Sequence, residues 1–176
     1  MLPVAHGLLG STVIASFHEG EPDRAYSADL LLGALLGIAP DLDYLVKHVP
    51  ALGGGHHGFT HSFVFAGAVG ILIAACMRRF NWMSILVYSL AMLSHPLLDY
   101  VFTESLGIAL LWPFSLTRFK LMIPNPIDYN WRNSSVSAAV FALIRISLIE
   151  MMIFGCLFGL VHWLRHRRVT REEAVN

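Results

Sequence analysis

The sequence predicts an all-α fold, a membrane-embedded bundle of about five helices, from its composition and its patterning. Of the 176 residues, 56% are hydrophobic and 14% are charged, and the mean hydropathy is +0.61. A soluble domain of this size needs a more highly charged surface. The apolar residues are gathered into long runs separated by polar turns. A chain of this length is expected to form one domain, covering residues 1–176.

Five apolar segments are each predicted to form a helix, over residues 2–17, about 28–39, 60–77, 83–102 and 136–164. The last is long enough to span a bilayer, and the third and fourth approach the roughly 20 residues that a spanning helix needs. The first two are short, so they either pack half-buried against the others or cross with the help of flanking residues. Residues 103–135 contain three prolines among polar residues, which predicts a loop or cap over the non-cytoplasmic end of the bundle.

Basic residues predict the orientation, because cytoplasmic loops carry an excess of lysine and arginine. If all five segments cross, seven arginines lie on one side and four basic residues on the other. The first group is Arg24, Arg78, Arg79, Arg165, Arg167, Arg168 and Arg171, and the second is Lys47, Arg118, Lys120 and Arg132. This bias predicts a multi-pass protein of the cell's inner membrane with a cytoplasmic C-terminus. The formal net charge is zero, and without a basic face no nucleic-acid partner is expected.

Histidines and aspartates occur where the apolar segments begin or end. In a five-span bundle they all fall at the non-cytoplasmic end. The set is His6, Asp41, Asp43, His56, His57, His61, His95 and Asp99. Imidazole and carboxylate without sulfur suit zinc, manganese or iron. The pattern therefore predicts a metal site at this end, with metal ligands His6, Asp41, His56, His61, His95 and Asp99.

The strength of the signal differs among these residues. His95 and Asp99 are spaced i, i+4 and share one helix face, although a buried His–Asp hydrogen-bonded pair would give the same pattern. Asp41 is interpreted as a ligand, whereas Asp43 is almost as well explained as a helix cap.

The stretch that follows three consecutive glycines holds His56, His57 and His61 in six residues, and a polyhistidine-like surface patch is its alternative explanation. Spacing leaves open whether His57 or His56 converges with His61. His6 is interpreted as a ligand only because it lies at the same end of the bundle as the other residues of the set.

Arg145 and Glu150 lie inside the fifth segment, where charged residues are costly and often functional. Arg145 is expected at about the depth of His95, where it would bind a phosphate or an oxyanion, or pair with a ligand carboxylate. Glu150 is expected to form hydrogen bonds within the bundle.

Several motifs in order make residues 1–116 resemble a known family, the inner-membrane-associated metal-dependent hydrolases of the LexA-binding type. They are His6, Pro40-Asp41-Leu42-Asp43, His56-His57-Gly58-Phe59-Thr60-His61-Ser62, Ser94-His95-Pro96-Leu97-Leu98-Asp99 and Trp112-Pro113-Phe114-Ser115. His57 departs from the family pattern, which has arginine there. The order of ligands is also similar to that of zinc-dependent phospholipase C and P1 nuclease. That likeness implies that Asp99 bridges two metals.

These observations and resemblances lead to one functional hypothesis and one rival. The hypothesis is a membrane-bound metal-dependent hydrolase, with one or two divalent ions, expected to be zinc, that activate water to cleave a phosphate ester of a lipid or lipid-linked substrate. Asp43 would accept the proton and Arg145 would bind the substrate's phosphate. The rival is a non-catalytic metal-binding scaffold or regulator of a protein partner. Metal transport is disfavoured, because the ligands lie at one end rather than at the midplane. The oligomeric state is left open.

Overall fold

The structure, a computed structural model, describes residues 2–18, 24–45, 56–102, 106–121, 123 and 135–173. These ranges contain five α-helices: α1 (Pro3–Phe17), α2 (Arg24–Ile38), α3 (Phe63–Cys76), α4 (Trp82–Phe102) and α5 (Val136–Glu173). Two short 3-10 helices, Ala39–Leu45 and Phe59–His61, follow α2 and precede α3. No strand occurs in these ranges, where extended pairing is limited to an isolated bridge between Ile108 and Phe119. The predicted all-α bundle is confirmed.

Three helices are long and apolar enough to cross a membrane by length and composition: Arg24–Leu45, Trp82–Phe102 and Val136–Arg167. The first of them joins α2 to its 3-10 extension, so the second predicted segment is longer than expected at both ends. The α-helix itself ends at Ile38, two residues before Pro40, and the chain continues as the 3-10 helix Ala39–Leu45. α1 and α3 are apolar but shorter, with 15 and 14 residues.

α1 lies at the centre of the bundle, in contact with α2, α4 and α5, while α3 packs against α4. The shared core contains Ile14 of α1, Leu36 of α2, Ala66 and Ala74 of α3, and Val87, Tyr88, Ala91 and Met92 of α4. Most of α5 beyond its contact with α1 exposes apolar side chains such as Leu148, Met152 and Leu160. Such a surface suits hydrocarbon, where the α-helix already satisfies every backbone group internally.

The backbones of α1 and α2 approach each other closely at glycines. A Cβ atom on Gly10 would lie 2.1 Å from the carbonyl oxygen of Gly33, and one on Gly37 would lie 2.2 Å from that of His6. No side chain fits in either place. Small residues at helix crossings are the usual way for membrane helices to gain close packing. This crossing fixes the depth of His6 relative to the end of α2.

The first turn of α1 is held by a carboxylate from another helix. Glu150 of α5 is 1% exposed, and its two oxygens accept hydrogen bonds from the backbone N–H groups of Leu2 (2.9 Å) and Ala5 (3.2 Å). These N–H groups have no partners within the helix, and the positive end of the helix dipole favours an anion there. Glu150 therefore forms hydrogen bonds within the bundle, as the sequence predicted, and its partners are backbone N–H groups of α1.

Substituting alanine at Gly37 should destabilise the bundle, because the new Cβ would overlap the His6 carbonyl. Overpacking of this kind costs about 1–3 kcal/mol. The measurement is thermal unfolding of the purified protein in detergent. Gly67→Ala is the matched control, since a Cβ on Gly67 of α3 meets nothing within 4 Å. Equal melting temperatures for the two variants would contradict the tight crossing.

Candidate metal centre

The histidines and aspartates of the predicted metal site converge at one end of the bundle. His6 is in the second turn of α1, Asp41 and Asp43 are in the 3-10 helix after α2, His61 ends the 3-10 helix before α3, and His95 and Asp99 lie near the end of α4. Because consecutive helices run in alternating directions, these positions meet at the same end. His6, Asp43, His57, His61, His95 and Asp99 are all less than 9% exposed, and Asp41 and His56 are half-buried.

Asp43 organises the loop that carries the histidines. Its Oδ2 accepts hydrogen bonds from the backbone N–H groups of His57 (2.9 Å) and Gly58 (3.3 Å) and from the hydroxyl of Thr60 (3.1 Å). Its Oδ1 lies 2.6 Å from Nδ1 of His56. These bonds hold His57 at a φ of 66°, a left-handed conformation that residues other than glycine seldom adopt. The carboxylate therefore shapes the loop and orients its imidazoles.

One ring nitrogen of His95 faces two carboxylates. Its Nδ1 lies 2.7 Å from the carbonyl oxygen of Gly37, which can only accept, so the ring proton is on Nδ1. Its Nε2 lies 3.2 Å from Oδ1 of Asp41 and 3.2 Å from Oδ2 of Asp99, yet it has no hydrogen-bond partner. A buried nitrogen between two anionic oxygens requires a positive charge there, either a proton on Nε2 or a metal ion.

His61 repeats this arrangement from the opposite side. Its Nδ1 is directed at the Thr60 hydroxyl (3.0 Å) and at Oδ2 of Asp43 (3.3 Å), both of which can accept its proton. Its Nε2 has no hydrogen-bond partner and lies 3.8 Å from Oδ2 of Asp99 and 4.0 Å from Oδ1 of Asp41. Burial lowers the pKa of His61 to about 4, so its imidazole is neutral at physiological pH and free to donate a lone pair.

Four residues together have the geometry of a metal site. One ligand atom from each of Asp41, His61, His95 and Asp99 lies within 4.8 Å of the other three. Bonds of about 2.0–2.2 Å in a tetrahedral zinc site place neighbouring ligand atoms roughly 3.3–3.6 Å apart. The nitrogen–oxygen distances here are 3.2 Å at His95 and 3.8 and 4.0 Å at His61. The partners of the imidazole Nδ1 atoms provide the orienting outer contacts that metal-bound histidines typically have. The donor set and the unpartnered nitrogens therefore fit a divalent cation.

The remaining predicted ligands lie around this group of four. His6 stacks on His95 at 3.7 Å between ring centroids, and its Nε2 is 3.4 Å from Oδ1 of Asp99. His56 Nε2 is 3.6 Å from Oδ1 of Asp41, on the side that is about one-third exposed. Burial opposes protonation of His56, but the hydrogen bond to Asp43 and the negative charges of the nearby aspartates together raise its pKa above the ordinary value. His6 and His56 therefore each lie close to a carboxylate oxygen of a residue in the group of four.

His57 is the residue that sequence reasoning left out of the ligand set. Its Nε2 lies 3.3 Å from Oδ2 of Asp99, and the side chain is buried. Asp99 thus has His6 on one oxygen and His57, His61 and His95 on the other. The departure from the family's arginine obscured this contact, since spacing alone left either histidine able to converge with His61.

Arg145 is placed apart from the cluster. It is exposed on α5, five residues before Glu150, which lies beside the first residues of α1. At 1.5 Å per residue it is roughly 7 Å beyond that level. None of the ion pairs among the described site residues includes its guanidinium. Its predicted role in binding phosphate or an oxyanion stays a prediction.

Residues 106–121 and 123 form the described part of the predicted cap. Ala109 N donates to the carbonyl oxygen of His57 (3.1 Å), and Arg118 Nη1 donates to those of His56 (3.1 Å) and Gly107 (2.9 Å). The cap therefore closes over the loop that carries the histidines. Phe114, at 85% exposure, is among its apolar side chains that face outward. Pro124 and Pro126 lie outside the described residues.

Asp43→Ala should destabilise the protein more than Asp41→Ala in the presence of a chelator. Loss of Asp43 leaves buried backbone N–H groups and the Thr60 hydroxyl unpaired, which costs about 2–4 kcal/mol. Loss of the half-buried Asp41 breaks no backbone hydrogen bond and removes one of two neighbouring anions. Thermal unfolding in detergent measures both variants. A similar fall in melting temperature for the two would contradict the organising role of Asp43.

Comparison with known proteins agrees with the membrane character of the chain. The family model described as "YdjM inner membrane protein" matches residues 1–169. The chain is also 40% identical over 126 residues to "Inner membrane protein YbcI" of Escherichia coli (strain K12), a match that covers 67% of this chain and 66% of that protein. No solved structure matches the chain at a significant level.

Proposed function

This chain belongs to the YdjM inner membrane protein family, and from that membership and its buried Asp–His cluster we propose that it is a membrane-bound metal-dependent hydrolase. Its substrate is proposed to be a phosphate ester of a lipid or of a lipid-linked molecule. The likeness of its motifs to metal-dependent hydrolases and to zinc-dependent phospholipase C supports this reaction class.

The observation that carries the proposal is the pair of buried Nε2 atoms of His61 and His95, which have no hydrogen-bond partner and face Asp41 and Asp99. A purely structural histidine would have both nitrogens satisfied. Nitrogen and oxygen donors without sulfur are typical of catalytic rather than structural zinc sites. The half-buried Asp41 and His56 leave one side open for water and substrate.

The chain's residues divide into those that hold a cation and those that hold the ligands. Asp41, His61, His95 and Asp99 would hold it, and His6, His56 and His57 would be the nearest further donors if a second ion were bound. A bound divalent cation lowers the pKa of water and polarises a phosphoryl oxygen. Asp43 and the Gly37 carbonyl orient the imidazoles. Proton acceptance by Asp43 stays a prediction. Its oxygens already accept several hydrogen bonds, which a proton would have to compete with.

The cap supports a lipid-like substrate. Its outward side chains Leu111, Phe114 and Leu116 are 43%, 85% and 69% exposed, next to the end of the bundle that carries the cluster. Aromatic and apolar side chains at such a position are suited to the boundary between headgroups and hydrocarbon. A phosphate ester at the bilayer surface would then lie beside the open side of the site.

Substituting His95 or Asp99 with alanine should abolish metal binding. Each removes a ligand from the group of four, and the loss of one ligand typically weakens a site by far more than the 10–100-fold seen for its outer contacts. Metal content of the purified protein after dialysis against zinc measures this. His166→Ala, a histidine exposed near the end of α5, is the control and should retain the metal. Full metal content in both ligand variants would exclude the site.

Turnover separates the hydrolase from a metal-binding scaffold. The purified protein in phospholipid nanodiscs should release phosphate or a phosphorylated headgroup from phosphomonoester or phosphodiester lipids. A chelator should stop the release and added zinc or manganese should restore it, while Asp41→Asn should lack it without losing the fold. Metal binding with no turnover across the lipid panel would favour the scaffold.

The metal centre is proposed to face the non-cytoplasmic side, with the C-terminus in the cytoplasm. The arginines of the opposite end, among them Arg24, Arg79 and Arg165, support this orientation. In a variant lacking Cys76 and Cys156, a membrane-impermeant maleimide added to intact cells should label Thr117→Cys in the cap and not His166→Cys. The reverse labelling pattern would invert the orientation.

A further inference from the structure

A cleft of about 420 Å³ opens at the end of the bundle opposite to the metal centre. It lies between the last turn of α1, the first turns of α2 and the turn that joins α3 to α4. Its lining residues are Ile14, Phe17, His18, Asp29, Arg79, Asn81, Met83, Ser84, Val87 and Tyr88. Its volume is within the range of roughly 300–1,000 Å³ typical of sites for small ligands. None of its lining residues takes part in the metal centre.

The cleft contains a buried carboxylate with one unsatisfied oxygen. Asp29 is 5% exposed, and its Oδ2 pairs with Nη1 of Arg79 at 2.6 Å. Its Oδ1 has no hydrogen-bond partner within the described part of the chain. An ionised oxygen removed from bulk water requires a donor, and its absence is costly. A ligand in the cleft would therefore present an N–H or O–H group to this oxygen.

Among the residues that the structure describes, the arginine that pairs with this carboxylate bonds through one of its nitrogens. Arg79 bonds to Asp29 and, at 3.5 Å, to the hydroxyl of Tyr88, in both cases through Nη1. Its side chain lines the cleft and is 41% exposed, so a ligand can reach the guanidinium. Arginine presents several N–H groups in a plane and binds phosphate well. The same cleft therefore offers an acceptor to a cation and donors to an anion.

The surroundings indicate a ligand with an apolar part at a membrane surface. Ile14, Phe17, Met83 and Val87 form an apolar wall. Beside the cleft, Phe80 and Trp82 are 66% and 72% exposed, and Trp82 begins a helix long enough to span the bilayer. Exposed aromatic residues at the end of a span are typical of the membrane–water interface.

From this arrangement we propose that the cleft binds a phosphoethanolamine group, a primary ammonium next to a phosphate, as in the headgroup of an aminophospholipid. The ammonium donates to Oδ1 of Asp29, and the phosphate accepts from the guanidinium of Arg79. Because Asp29 and Arg79 already neutralise each other, a zwitterion keeps the site neutral. A phosphate without an amine would bring an anionic oxygen against the carboxylate, and a simple amine would leave the guanidinium donors unused.

The test compares lipids that differ in a single property. Phosphatidylcholine has the same phosphate and the same positive charge as phosphatidylethanolamine, but its quaternary ammonium has no N–H to donate. The full-length protein is purified in detergent with an equimolar mixture of the two, matched in acyl chains, and the retained lipid is identified by native mass spectrometry. Phosphatidylethanolamine should be retained about tenfold more, the ratio expected for one charge-assisted hydrogen bond.

Four variants test whether the preference for phosphatidylethanolamine arises in the cleft. Asp29→Asn and Arg79→Gln should abolish it, whereas Arg78→Gln, which changes the neighbouring exposed arginine outside the lining, should keep it. Ser84→Leu fills the cleft without touching the ion pair, and should abolish retention even if the Asp29 variant fails to fold. A preference that survives in Ser84→Leu would overturn the proposal.

Soluble competitors identify the source of the ligand. If phosphoethanolamine displaces the lipid at micromolar concentration, the group is recognised without its acyl chains and a soluble metabolite is the source. If displacement needs the intact lipid, the headgroup in the bilayer is the source; both results support recognition of the group. Equal retention of the two lipids by the unaltered protein, or equal competition by inorganic phosphate, would overturn the proposal, with water as the donor to Asp29.

Discussion

The close crossing of α1 and α2 at Gly10, Gly33 and Gly37 is the constraint on which the metal centre depends. It brings the His6 carbonyl next to Gly37, and no side chain can separate the two backbones. Gly37 in turn offers its carbonyl oxygen to Nδ1 of His95 at 2.7 Å. The crossing therefore determines both where His6 stacks and which nitrogen of His95 faces the carboxylates. The contact that packs α1 against α2 therefore also orients the histidines.

A second constraint acts through Asp43, which is independent of any cation. Its oxygens accept from two backbone N–H groups, a hydroxyl and an imidazole, so the loop from His56 to His61 is fixed by ordinary hydrogen bonds. Within the candidate metal centre, Nε2 of His61 and Nε2 of His95 face Asp41 and Asp99 without a hydrogen bond. A protein that satisfied these nitrogens with hydrogen bonds would lose the place for a metal.

The sequence allowed the five helices and the set of residues that meet to be predicted, because both follow from periodicity and from alternating helix direction. Individual roles were harder to predict. Asp41 and Asp43 are two residues apart in the same motif, yet one points at the ligand nitrogens and the other at the loop backbone. His57, whose Nε2 lies 3.3 Å from Asp99, has a positive φ, which residue type does not encode.

The same limit applies to charges inside apolar segments. Arg145 and Glu150 are indistinguishable by hydropathy, but the depth of each depends on how far α5 extends past α1. Glu150 lies at the start of α1 and accepts from its first turn, whereas Arg145 lies beyond that turn and is exposed. Relative helix heights result from side-chain packing between helices, and a single sequence carries no direct signal for them.

The two constraints together make the centre preorganised rather than assembled by its metal. In small zinc domains the free energy of metal binding is used for folding, because the ligands are not held in place without it. Here Glu150 holds α1, Asp43 holds the loop, and Gly37 orients His95, all through contacts that contain no cation. Binding of a cation would then neutralise the half-buried Asp41 and the buried Asp99 beside the two imidazole nitrogens without ordering new backbone.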